Sequence, residues 1–276
     1  MTQRATLCHR CRKIIGSSES ICSWCGASRP SAPWKTAVWT RGALDGDWLV
    51  KAIITVTIGY YLFSLILSGM GNPRVSAGSL TPDQTSLLIL GATGVIPIDR
   101  FGHLWSLLTA NYLHGGILHI IFNIMALRQI APWVINEYGA SRMFIIYTLG
   151  GACGFWVSYL AGIPLTIGAS AGICGLIGSL LYYGKSRGGG YGAAVFREVK
   201  GWVIGLVLFG LLLPSINNWG HGGGILGGIL LGFLLGYEER TSESGVHRLI
   251  ALACGAVTVA ALGWASLGAA RLWIGI

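Results

Sequence analysis

The polar residues of this chain that could do chemistry lie inside otherwise apolar segments, in three places. Gly168-Ala-Ser170-Ala-Gly172 opens one apolar run, Asn218-Trp-Gly220-His221 opens another, and His114, His119 and Asn123 are spaced along a third. Polar groups are costly within a membrane span, so each is a functional candidate by default. A serine hydroxyl becomes a useful nucleophile only beside a base, and an imidazole can take its proton and return it to a leaving amine. The tetrahedral oxyanion then needs fixed donors. Ser170 and His221 supply nucleophile and base; the Ser170 backbone N–H, His119 and Asn123 are the candidate donors. These are the parts of an acyl transfer. No Asp or Glu lies inside any expected span, so a dyad is expected rather than a triad.

A membrane serine commonly does no more than bond a carbonyl of the preceding turn. Ser170 carries more weight because Pro164 and Gly168 precede it. They put it at or near a helix N-terminus, where backbone N–H groups have no intrahelical acceptor. A helix from there to about Tyr183 is roughly 21 Å long at 1.5 Å per residue, too short to cross the bilayer, so its start is expected below the membrane surface. His119 and Asn123, four residues apart, share one helix face. His114 falls off that face, near the helix start, where it can brace a loop.

Something must bring these segments together, and glycine is the expected means. Gly220, Gly224, Gly228, Gly232 and Gly236 recur every fourth residue, and Gly172, Gly175 and Gly178 offer a matching surface. Small residues let helices approach closely where no hydrophobic effect drives them together. If the two ridges meet, Ser170 and His221 lie at the same end of adjacent helices.

Composition agrees with a bilayer setting. Of 276 residues, 53% are hydrophobic, 11% are charged and 43 are glycine, a balance with too little polar surface for an ordinary soluble domain. Seven spans are expected, at about 50–68, 104–127, 142–161, 169–183, 201–216, 220–237 and 248–267. No charged-then-apolar leader is evident, so the first span is expected to direct insertion. With the N-terminus in the cytoplasm, 16 of the 19 Lys and Arg fall on the cytoplasmic side, and only Arg74, Arg100 and Arg271 fall opposite. The net charge of +9 is therefore a topology signal, and no nucleic-acid partner is needed to explain it.

Ahead of the spans, Cys8-His-Arg-Cys11 and Cys22-Ser-Trp-Cys25 form two Cys-x2-Cys pairs. Four thiolates from two tight turns can close a tetrahedral structural zinc site, and a cytoplasmic location disfavours disulfides. The expected organisation is a zinc-ribbon-like module at 1–35, a linker at 36–49, a helical core at 50–237 and an added C-terminal helix with its linker at 238–276.

The pattern His114-x4-His119-x3-Asn123, Gly168-Ala-Ser170 and Gly220-His221-x2-Gly224 resembles the rhomboid family of intramembrane serine proteases. The likeness covers about residues 50–237. It implies an all-α polytopic fold with a six-helix core, here with one extra helix, and cleavage of single-span or polytopic membrane proteins in or beside the bilayer. It also implies a dyad of Ser170 and His221, oxyanion donors at His119 and Asn123, no catalytic cofactor, and a structural role for His114, Gly168, Gly220 and Gly224. An inactive rhomboid-like protein that binds membrane helices is the alternative. Cys174 stands where the family commonly stacks an aromatic on the catalytic histidine, which implies that other packing positions His221. Ser106 stands where the first loop usually carries arginine. The expected location is the plasma membrane of a prokaryote.

Overall fold

Among the described residues, the apolar runs fold into seven long helices. The computed structural model describes residues 5–8, 14–16, 18–24, 26, 46–71, 80–213 and 216–274. The long helices are α1 (Gly46–Gly71), α4 (Ile117–Tyr138), α5 (Ala140–Leu160), α6 (Ser170–Arg187), α7 (Gly189–Leu212), α8 (Asn218–Leu235) and α9 (Gly245–Ile274). Between α1 and α4 lie α2 (Gln84–Ile89), a π-helical turn (Ile96–Arg100), α3 (Ser106–Thr109) and a 3-10 turn (Ala110–Tyr112). The chain divides into two compact units, Met1–Trp48 and Leu49–Ile276. In the first, β1 (Ala5–Leu7) pairs antiparallel with β2 (Ile14–Gly16), Ala5 opposite Gly16.

Polarity in the helical unit is inverted relative to a soluble protein. Leu118, Leu212, Leu234 and Val259 point outward, each at least 65% exposed, while His114, Ser158 and Arg142 are fully buried. Lipid accommodates such a surface; water does not. Among the described residues, four helices are long and apolar enough to cross a membrane: Trp48–Gly69, Ile117–Tyr138, Ala140–Leu160 and Gly245–Arg271. The protein is an all-α polytopic integral membrane protein.

Three expected spans need correction. The second begins at Ile117, not near 104, and runs to Tyr138 through Pro132. Residues 104–116 are apolar enough to resemble a span, but Gly115-Gly116 breaks the backbone there and Gly116 caps α4. The fourth continues to Arg187, giving 18 residues, about 27 Å at 1.5 Å per residue. It is close to bilayer thickness rather than far short of it. The fifth begins at Gly189, twelve residues before the expected start at 201, because its first half is polar.

Helices α5, α6 and α8 form the centre, packed mainly on one another. Their glycines permit it. A Cβ on Gly228 would lie 1.8 Å from Gly175 O, and one on Gly178 would lie 2.1 Å from Ile225 O. The expected ridge divides between two neighbours: Gly224, Gly228 and Gly232 face α6, whereas Gly220 faces Ser158 of α5 and Gly172 meets Tyr147 of α5. Gly236 lies outside the ridge and ends α8 with φ +65°. The extra helix α9 packs along α5 and reaches α2 and α3, and Ser266 Oγ lies 2.8 Å from Tyr60 Oη of α1.

Arg142 secures the other end of α8. Its guanidinium donates to Gly236 O and Thr241 O at 2.9 Å each, to Tyr138 O, and to Glu238. A buried cation is thus matched to carbonyls that α8 leaves unpaired at its C-terminus. Removing one side of such an arrangement costs about 3–5 kcal/mol. Arg142→Ala is therefore expected to lower the thermal midpoint in detergent markedly. Arg142→Lys should recover only part of the loss, because an ammonium cannot reproduce the planar fork. Wild-type melting of the alanine variant would refute this role.

Candidate active site

Ser170 is the first residue of α6, so its N–H has no helical acceptor. The preceding loop is held on two sides. Gly168 donates to Ala110 O at 2.9 Å, and its φ of +125° is a backbone conformation that side chains disfavour. Thr93 and Thr166 exchange two backbone hydrogen bonds, of 3.0 and 2.7 Å, and Val95 donates to Ile163 O at 2.9 Å. Part of the stretch between α1 and α4 is thus tied to the nucleophile's own loop. Its bracing comes from hydroxyls: Ser106 Oγ donates to Thr93 Oγ1 at 2.9 Å, and Thr109 Oγ1 to Gly91 O at 2.8 Å.

His221 lies in the first turn of α8. Its Nε2 is 2.9 Å from Ser170 Oγ, within the reach of about 2.6–3.2 Å that proton transfer needs. Among the described residues no acceptor reaches its buried Nδ1. The close approach of α6 and α8 sets this distance. A Cβ on Gly224 would lie 2.4 Å from Ala171 O and 3.0 Å from Cys174 Cβ. Cys174 is a small buried filler between the helices, and the histidine is positioned by helix contact.

His119 is in the first turn of α4. Its Nδ1 accepts from Gly115 N–H at 3.3 Å, which assigns the ring proton to Nε2. A Cβ on Gly168 would sit 2.8 Å from that Nε2 and 3.6 Å from Ser170 Oγ, so glycine there leaves open the space between donor and hydroxyl. Asn123 is buried one turn deeper and donates to His119 O at 2.9 Å. His114 stands outside the helix. It accepts a long hydrogen bond, 3.5 Å, from Ala169 N–H and packs edge-on against His119 with ring centroids 4.9 Å apart.

Asn217 makes contacts around the pair that the sequence reading missed. It caps α8, its Oδ1 accepting from Gly220 N–H at 2.9 Å. Its Nδ2 donates to Ser158 Oγ at 2.7 Å and Thr166 Oγ1 at 2.9 Å. One amide therefore fastens the His221 helix to α5 and to the loop before Ser170. An Asn just ahead of an apolar run is a legible N-cap signal, but its two other partners are not. Loss of a cap costs about 0.5–2 kcal/mol, and small displacements of reacting groups can cost about 100-fold in rate. Asn217→Ala is expected to slow any reaction of the Ser170–His221 pair by about 10- to 100-fold while the protein still folds, as read by labelling of Ser170 with a serine-reactive probe. An unchanged rate would remove Asn217 from the positioning set.

Residues 101–238 match the rhomboid domain. The chain belongs to the rhomboid family. Among its relatives, the rhomboid protease GluP of Bacillus subtilis is 34% identical over 45% of this chain and 25% of its own length. Rhomboid-like protease 3 of Toxoplasma gondii is 28% identical over 53% of this chain and 52% of its own. A relative from Arabidopsis thaliana named as an inactive rhomboid-like protein is 30% identical over 53% and 42%. The chain spans about half or less of the length of these relatives. This rhomboid therefore has relatives of both kinds, proteases and an inactive protein.

Of the cysteines read as zinc ligands, Cys8 and Cys22 are buried together with Ile15. Cys11 and Cys25 lie outside the described residues. Gly26, with φ +68°, donates to Cys22 O at 2.9 Å. Among the described residues, no group of three or more His, Cys, Asp or Glu could hold a metal.

Proposed function

We propose that this rhomboid is an intramembrane serine endopeptidase that cuts single-span or polytopic membrane proteins in or near the bilayer. The observation that carries the reading is the 2.9 Å contact between Ser170 Oγ and His221 Nε2. His221 Nε2 takes the hydroxyl proton as Ser170 Oγ attacks the scissile carbonyl carbon. The oxyanion is received by the Ser170 N–H, His119 Nε2–H and Asn123, which act where negative charge develops. The proton on His221 passes to the amine as the C–N bond breaks, leaving an acyl-enzyme. Water then attacks the ester with His221 again as base, and the acid product and free Ser170 result.

The second reading, an inactive protein that binds membrane helices, is supported by the relative named inactive. A fluorophosphonate probe separates the two, because only an activated serine is phosphonylated. Labelling of wild type at Ser170, and none in His221→Ala, is the expected result. Wild type that resists the probe while remaining folded would favour the inactive reading.

Charge asymmetry supports an N-terminus in the cytoplasm. The relatives occur in Bacillus, Arabidopsis and Toxoplasma, so their organisms do not select the membrane. Membrane lipid is the expected surrounding, with no nucleic-acid partner. We also propose that Cys8, Cys11, Cys22 and Cys25 hold one structural zinc, which would stabilise a unit too small to do so by burial. Elemental analysis of the full chain should then give one zinc per protein, lost in a Cys8→Ser, Cys22→Ser variant. Metal-free protein with reduced, intact cysteines would discard the site.

A further inference from the structure

At the end of the bundle remote from Ser170, helices α6, α7 and α8 line an open cleft of about 560 Å³, within the roughly 300–1,000 Å³ typical of small-ligand sites. Its walls are apolar, formed by Tyr182, Phe196, Val203 and Ile229, and both Lys185 and Lys200 line it. The packing of α7 explains why it exists. At one end Gly184 and Gly192 bring α6 and α7 into backbone contact, a Cβ on Gly192 lying 2.7 Å from Gly184 O. At the other, Asn218 Nδ2 donates to Gly210 O at 2.9 Å. Between these attachments α7 follows α6 and scarcely touches α8, which leaves a wedge.

Charge at the wedge is one-sided. Nearby Arg187 is paired with Glu239 at 2.7 Å, and Arg240 donates to Ser186 O and lies over the Tyr237 ring. Among the described residues neither Lys185 nor Lys200 has an anionic partner. Lys185 is fifteen residues along α6 from Ser170, about 22 Å at 1.5 Å per residue. That distance puts Lys185 near the opposite membrane surface, and Lys200, on the facing stretch of α7, lines the same cleft.

From this geometry we infer that the wedge binds one anionic phospholipid of that leaflet. Its phosphodiester pairs with Lys185 and Lys200, and an acyl segment lies among Tyr182, Phe196, Val203 and Ile229. Basic pockets between membrane helices are suited to such headgroups, and the apolar walls have no use for a free phosphate. The inference does not depend on the protease reading, and Ser170 labelling, followed in parallel, keeps their failures distinct.

The test reconstitutes the full chain in nanodiscs of phosphatidylcholine alone or mixed with phosphatidylglycerol. After extraction into mild detergent, lipid retained per chain is counted by mass spectrometry. Wild type should keep one phosphatidylglycerol per chain. The Lys185→Gln, Lys200→Gln variant should keep at least about fivefold less, and the Lys185→Arg, Lys200→Arg variant should keep it. Val203→Trp, which fills the cleft but spares the lysines, should also lose it. Equal retention by the glutamine variant, or equal retention of phosphatidylcholine by wild type, would overturn the site. Retention by a folded Val203→Trp variant would reduce it to surface charge and overturn the cleft assignment. If that variant does not fold, the glutamine pair decides. Glycerol 3-phosphate added to the phosphatidylcholine sample should give no thermal stabilisation. Stabilisation by it equal to that by phosphatidylglycerol would overturn the acyl half of the proposal.

Discussion

Ser170→Ala is expected to reduce cleavage of a co-expressed single-span substrate by at least about 10⁴-fold, and His221→Ala by a comparable factor. Ser170 Oγ and His221 Nε2 lie 2.9 Å apart, and in the proposed mechanism neither works without the other. The double variant should consequently be no worse than either single one, since residues acting as a unit are not additive. With no acceptor reaching His221 Nδ1 among the described residues, the loss is concentrated in these two positions. His119→Ala should retain more activity, losing about 10²- to 10³-fold, the usual cost of one oxyanion donor. The comparison is made on membranes with equal amounts of each variant. Cleavage by Ser170→Ala within about tenfold of wild type would end the dyad assignment.

Gly228→Val is expected to have the largest structural effect. Its Cβ would fall 1.8 Å from Gly175 O, and the obstructing atoms are backbone on both sides. No flexible side chain can yield, so α6 and α8 must separate. Overpacking of well-packed cores costs about 1–3 kcal/mol even where side chains can move, and here the cost should lie at or above the upper end. Separation would also part Ser170 from His221, so stability and cleavage should fall together. Gly201→Val is the control, because a Cβ on Gly201 meets nothing within 4 Å. Thermal unfolding in detergent checks both. Equal midpoints for the two variants would refute glycine contact as the feature that assembles the site.

Much of the site was legible because its residues are chemically out of place. A serine, a histidine and a His–Asn pair at helical spacing stand out in apolar runs, and the glycine period marks the helices that must touch. Local sequence also determined that Ser170 begins a helix, since Pro164 and Gly168 interrupt the backbone before it. Boundaries were read less well. A hydropathy reading counted residues 104–116 as span, although Gly115-Gly116 divides them from α4, and it ended α4 at the first charge although helix continues to Tyr138.

What only the tertiary structure decided is which groups far apart in the chain meet. Asn217 reaches Ser158 and Thr166, 59 and 51 residues away, and Arg142 reaches Gly236 across 94. Both satisfy helix termini, and a terminus can be satisfied by any suitably placed donor or acceptor, so the partner leaves no local trace. The division of the glycine ridge between α5 and α6 has a similar cause. A glycine recurring every fourth residue drifts around a 3.6-residue helix by about 40° per step, and only the neighbours reveal which side each one faces. Residue type and spacing therefore determined the chemistry available to this protein, while the three-dimensional packing decided the contacts that align it.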